Sequence, residues 1–125
     1  MSGNAVGWFE IYVQDMDRAR RFYEAVLGKA LQKLDSPAGE IDMWSFPGDQ
    51  SSYGIGGALA KMPGVASGGN STVVYFSCED CAVEEGRVAA NGGRVMRPKF
   101  PIGQYGFIAL AFDTEGNLFG LHSMK

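Results

Sequence analysis

The chain has 125 residues, 46% of them hydrophobic and 20% charged, enough for one domain with a buried core. Eleven Lys and Arg against fourteen Asp and Glu give a net charge of −3, which argues against the basic face a nucleic-acid partner requires. One histidine and two cysteines exclude most zinc or Cys/His sites built from protein ligands alone, so no metal and no cofactor is expected.

Met1 to Val6 lacks a charged n-region and an apolar h-region, so no signal peptide is expected. The longest apolar run, Phe107 to Phe112, is far too short for a membrane span. Two cysteines without an export signal point to a reducing cytoplasm. Glycine, at 18 residues, is in excess and implies many turns between short strands.

Trp8 to Val13 alternates as a strand, with Phe9, Ile11 and Val13 on one face and Trp8, Glu10 and Tyr12 on the other. Asp15 is placed as an N-cap. Met16, Ala19, Phe22, Tyr23, Val26 and Leu27 then recur at helical spacing, and Gly28 supplies the stop. Short β-type runs follow at Ala30 to Leu34, Ile41 to Phe46 and Ser52 to Lys61, punctuated by Pro37-Ala38-Gly39, Pro47-Gly48-Asp49 and Pro63-Gly64. Gly64 to Asn70 is small and flexible in composition. The pattern then restarts with a strand at Ser71 to Cys78, an N-cap at Asp80, a helix over Cys81 to Ala90, and a stop at Asn91-Gly92-Gly93. Strands are expected from Arg94 to Met96, Phe107 to Phe112 and Leu118 to Ser123, with a turn at Thr114 to Asn117.

An offset of 65 carries Glu10, Asp15 and Gly28 onto Tyr75, Asp80 and Gly93, so the chain reads as an internal repeat. Module one is expected over about 6–62, a linker over 63–70 and module two over 71–124. Each module is a strand, a crossover helix and three further strands, an α+β unit whose sheet has one helical face. Neither module could bury a core alone, so the two must share one.

Gly7 to Ala19, followed by Phe22-Tyr23 and Leu27-Gly28, resembles the opening module of the vicinal oxygen chelate superfamily, which includes glyoxalase I, bleomycin-resistance proteins and extradiol dioxygenases. Gly92-Gly93, Pro98, Phe107-Ile108-Ala109 and Asp113-Thr114-Glu115-Gly116-Asn117 extend the match through the second half, and the D-x-x-G-N turn is its most specific piece. Glu10 and Gly120-Leu121-His122 resemble the glyoxalase-like subgroup. The resemblance implies paired βαβββ modules, sheets curled into a cup around the site, and a homodimer.

In metal-dependent relatives the resemblance places ligands on the first, fourth, fifth and last strands. Here those positions fall on Trp8, near Gly56, near Val73 and on Gly120, none able to ligate through a side chain. Two residues onward on the same faces stand Glu10 and His122, the only imidazole. Such a pair admits three readings: acid–base catalysis with Glu10 as base and His122 as proton donor, a hydrogen-bonded packing pair, or a weak metal site completed by water. Trp8, Tyr12, Trp44, Tyr53 and Tyr75 could stack on a planar ligand or serve as core. Lys99 and Tyr105 sit in a basic, aromatic segment with Arg94 and Arg97, read as a loop at the cup mouth that holds a ligand or is simply solvated. Cys78-Glu79-Asp80-Cys81 is a C-x-x-C without a thioredoxin-like surrounding, either a redox pair or two small buried hydrophobes. Gly54-Ile55-Gly56-Gly57 lacks the spacing and the following helix of a phosphate cradle, and is read as clearing room for a close approach.

Two functions follow as expectations: a metal-independent lyase or isomerase acting on a small carbonyl compound through Glu10 and His122, or a protein that binds and sequesters a small aromatic molecule. The expected partners are such a ligand and a second copy of the chain, with neither nucleic acid nor membrane.

Overall fold

A computed structural model of the chain describes residues 3–35, 40–49 and 51–125; the turn expected at Pro37-Ala38-Gly39 lies outside them. Strand β1 (Trp8–Tyr12) leads into helix α1 (Met16–Leu27), and β2 (Gln32–Leu34), β3 (Asp42–Ser45) and β4 (Gly56–Lys61) follow. The second half repeats the order with β5 (Val74–Ser77), α2 (Cys81–Val88), β6 (Arg94–Pro101), β7 (Phe107–Phe112) and β8 (Leu118–Ser123). The sheets have identical topology, β1-β4-β3-β2 and β5-β8-β7-β6. In each, the first strand runs parallel to the last and the remaining pairs are antiparallel. This is the expected pair of βαβββ modules.

The helix boundaries follow from their end residues. The Asp15 carboxylate accepts from the Arg18 N–H at 3.0 Å, and Asp80 does the same for Ala82 at 3.0 Å, each satisfying a donor the helix leaves unpaired. Gly28, at φ 69°, turns its N–H back to the Glu24 carbonyl. The second stop has two parts. A 3₁₀ turn over Ala89–Asn91 follows α2, Gly92 takes the left-handed conformation at φ 95°, and Gly93 donates to the Val88 carbonyl. Gly93 itself is needed for a different reason: a Cβ there would collide with the Phe112 carbonyl and the Phe22 ring.

One core serves both modules. Phe9, Phe22, Tyr23, Phe46, Phe76 and Phe119 form a continuous aromatic cluster, with Phe46 and Phe76, from different modules, at 5.1 Å between centroids. Edge-to-face pairs among them, such as Phe9–Phe76, Phe22–Phe119 and Tyr23–Phe46, add about 0.5–1.5 kcal/mol each beyond the area they bury. Ile11, Val26, Leu59, Val88 and Leu121 complete it.

The D-x-x-G-N turn ties the modules together at one end. Asp113 accepts from the Tyr23 hydroxyl at 2.7 Å and from the Glu115 and Asn117 backbone N–H groups. Glu115 accepts from the Gln14 and Asp15 N–H groups and from the Arg18 guanidinium at 2.7 Å. Burial opposes ionisation of Glu115, but Arg18, these two N–H groups and the Thr114 hydroxyl outweigh it and hold the carboxyl at about 2. Burial, reinforced by the Asp113 charge, keeps the Tyr23 hydroxyl protonated well above its usual range.

Two expectations are corrected. The glycine-rich connection is fastened rather than loose: Ser67 donates to the Glu115 carbonyl, Gly68 to the Asn117 side chain, and Asn70 exchanges bonds with the Leu118 backbone. The segment at 97–101, read as loop, continues the strand expected at Arg94 to Met96, because β6 pairs with β7 through irregularities that absorb Pro98 at the sheet's edge. Among the described residues, no helix is long and apolar enough to cross a membrane.

Candidate functional site

Alternation along β1 buries Ile11 and Val13 toward the helices and turns Trp8, Glu10 and Tyr12 to the opposite face. There the three side chains bond to one another. The Trp8 indole N–H donates to Glu10 Oε2 at 3.2 Å, and the Tyr12 hydroxyl donates to Glu10 Oε1 at 2.8 Å. That bond, with some burial and the Glu10 charge, raises the Tyr12 phenol above its usual range.

The neighbouring strand supplies a floor of small residues. Trp8, Glu10 and Tyr12 lie opposite Gly56, Ala58 and Ala60. A Cβ at Gly56 would press on the Trp8 ring, and one at Gly57 would collide with Phe9 on the other face. The close approach expected of this glycine run is therefore made by the chain's own rings.

Beside the trio, a cleft of about 240 Å³ separates β1 from the connection between the modules. Phe9, Glu10, Ile11 and Tyr12 form one wall; Ala66, Gly68, Asn70 and Thr72 form another; Val74, Asn117 and Leu118 close it. Glu10 is the only charged residue lining it. Sequence reasoning singled out Glu10 and Tyr12 but missed Asn70 and Thr72. Asn70 fell in the stretch read as linker and Thr72 in the strand expected from Ser71, because nothing local says that the connection folds back across β1.

In the second module, Tyr75 lies opposite Gly120 and Ser77 opposite His122. The Tyr75 ring occupies the space a Gly120 side chain would need, as Trp8 does at Gly56. Thus two of the positions that the resemblance assigns to metal ligands are glycines covered by aromatic rings. Among the described residues, no three His, Cys, Asp or Glu side chains come together in a group that could hold a metal.

The other predicted residues are dispersed. His122 stands on the helix-free face of its own sheet, and its Nε2–H donates to the Tyr105 carbonyl at 2.6 Å. Glu10 belongs to the other sheet, and no hydrogen bond joins the two among the described residues. Tyr105 is exposed. Trp44 lies on the helix side, packed against the core beneath the Arg20 guanidinium at 4.5 Å from its ring centroid. Tyr53 is fully exposed at 92% in the β3–β4 connection. Lys99 is committed to the Asp80 cap at 2.8 Å and lies over Phe107, while Arg94 and Arg97 cover Phe112 and Phe100.

The cysteines behave as small hydrophobes. Cys81 is wholly buried at the start of α2, and burial, with Glu84 adding, pushes the Cys78 thiol up to about 12, which leaves no thiolate at neutral pH.

Comparison with known proteins agrees with this architecture. Two curated mycobacterial relatives, both called CFP32 and named as candidate glyoxylases, from Mycobacterium bovis and Mycobacterium tuberculosis, are each 31% identical over 115 residues. That covers 91% of this chain and 42% of each relative, so the chain spans less than half the length of the curated proteins it matches. Among solved structures, a variant of glyoxalase I from Zea mays is similar with a TM-score of 0.74 and 23% identity, over 94% of this chain and 45% of that one. TnmS3, an antibiotic binding protein from Streptomyces sp. CB03234, is similar with a TM-score of 0.73 and 21% identity, over 98% of both chains. The profile of the Glyoxalase/Bleomycin resistance protein/Dioxygenase superfamily matches residues 5–121, and the chain belongs to that superfamily.

Proposed function

We propose that this protein binds a small planar molecule on β1 and releases it unchanged. The observation that carries the reading is the Trp8–Glu10–Tyr12 trio standing over Gly56, Ala58 and Ala60 beside the cleft of about 240 Å³. Two aromatic rings over a floor without side-chain bulk offer a stacking surface, and the cleft gives the ligand an edge to enter. A structural neighbour of the same fold, TnmS3, binds an antibiotic, so the fold accommodates this use. Tyr75 over Gly120 is a third ring, on the other sheet. Working as a homodimer in the cytoplasm belongs to the same proposal, and size-exclusion chromatography with light scattering tests the dimer.

The curated relatives favour a second reading, in which the site is that of a lyase or isomerase acting on a small carbonyl compound, with Glu10 as base and His122 as proton donor. Against it stand the two donors already on Glu10 and the separate engagement of His122 with Tyr105. Native mass spectrometry of freshly purified protein, followed by identification of the released molecule, tests both. A planar molecule that Trp8→Ala fails to retain and that comes off unaltered is the expected result. A molecule that is converted by the native chain, but not by Glu10→Gln or His122→Asn, would replace binding with catalysis.

A further inference from the structure

The geometry points to a cationic ligand: we propose that the site selects planar molecules carrying a protonated amine or amidine, which Glu10 pairs between the rings of Trp8 and Tyr12. This rests on the binding reading above and names the class of molecule bound.

The first support is the isolation of the charge. Across the sheet from Glu10, the same face continues through Ala58, Ser45 and Gln32, and the next row runs Tyr12, Ala60, Met43 and Leu34. Every residue in these rows except Glu10 is neutral. No Lys, Arg or His lines the cleft, and among the described residues Glu10 makes no ion pair. By contrast, Glu115 is paired with Arg18 and Asp80 with Lys99. A lone carboxylate on a neutral, partly apolar face leaves a negative potential unanswered by the protein itself.

The second support is the state of its oxygens. Each accepts one donor, from Trp8 on one side and Tyr12 on the other. A carboxylate offers about four acceptor sites, so both oxygens retain capacity for a ligand N–H. The third is the pair of rings. Their N–H and O–H groups are spent on Glu10, so what they offer a ligand is the π-face, whose quadrupole attracts cations. Carboxylate and rings therefore favour the same sign of charge, and an anionic ligand is opposed by both.

Three probes of one ring size separate the possibilities: naphthylmethylamine, a cation at neutral pH, naphthylmethanol, which is neutral, and naphthoate, an anion. Isothermal titration calorimetry of each into the native chain is expected to rank them cation, neutral, anion, with the cation at least about tenfold tighter than the alcohol. The cation's advantage should shrink as sodium chloride is raised, a measurement that needs no variant. In Glu10→Gln, checked by its melting temperature to be folded, cation and alcohol should bind within about twofold of each other. Equal binding of all three, an anion preference, or a cation preference that survives both salt and Glu10→Gln would overturn the charge selectivity while leaving planar binding intact. Absence of saturable binding by any probe would overturn both.

Discussion

The two modules share a ladder yet carry different chemistry at matching rungs. Val13 donates to the Ala60 carbonyl in the first, and Cys78, 65 residues on, donates to the His122 carbonyl in the second. In that register Glu10 corresponds to Tyr75, Ala58 to Gly120, and Ala60 to His122. A carboxylate over alanine has become a ring over glycine, and a methyl group has become the chain's single imidazole. The closing hairpins diverge further. The β7–β8 turn buries Asp113, Glu115 and Asn117 and bonds them across to the first module. Its counterpart between β3 and β4 is longer and, from Pro47 to Ile55, exposed at its described residues, among which Asp49 accepts only from Ser51 and Ser52. One copy holds the two modules together, which leaves β1 of the other free to carry a site.

The largest loss is therefore expected from the turn. Glu115→Ala strips Arg18 and two backbone N–H groups of their acceptor and should cost about 3 kcal/mol by urea denaturation at neutral pH. The same residue sets an acid limit. The folded chain holds this carboxyl at about 2 and the unfolded chain near 4.5, so the unfolded state binds the proton first. Stability from Glu115 is complete above that upper value and drains away as pH falls toward the lower one; Glu115→Ala should lack this component of the acid transition.

Tyr23→Phe removes one buried donor from Asp113 and should cost about 1–2 kcal/mol. Gly57→Ala forces the Phe9 ring against Phe46 and Phe76 and should cost about 1–3 kcal/mol, whereas Gly120→Ala meets the half-exposed Tyr75 ring, which can swing aside, and should cost under about 1 kcal/mol. Asp49→Ala in the exposed hairpin should stay within about 0.5 kcal/mol. Equal costs at the two hairpins would erase the distinction.

Period-2 and period-3.6 patterning, caps and glycine stops were sufficient to read the modules, their order and the faces of β1 from the residues alone. These are local signals, and each was satisfied locally. What escaped was set by contacts distant in sequence. The connection at 64–70 was composed like a tether, and bonds to the distant Gln14, Glu115, Asn117 and Leu118 fasten it beside the site. The strand expected to end at Met96 runs on to Pro101, because an edge position with irregular register accommodates Pro98. The faces of Glu10 and His122 followed from alternation, and so did Trp8 and Tyr12 beside Glu10, but the partner of His122 did not. Trp8 and Tyr12 flank Glu10 at two residues' distance, while Tyr105 reaches His122 from a turn 17 residues away.

The placement of the two tryptophans gives the molecule an optical signature. Trp44 is covered by a guanidinium on the helix side, whereas Trp8 is 45% exposed on the face proposed to take the ligand. With Trp44→Phe, all remaining indole emission comes from Trp8, so its intensity and wavelength report the occupancy of β1 directly. The residue at which the resemblance would place a metal ligand of the first strand is thereby the one that can make binding visible without a label.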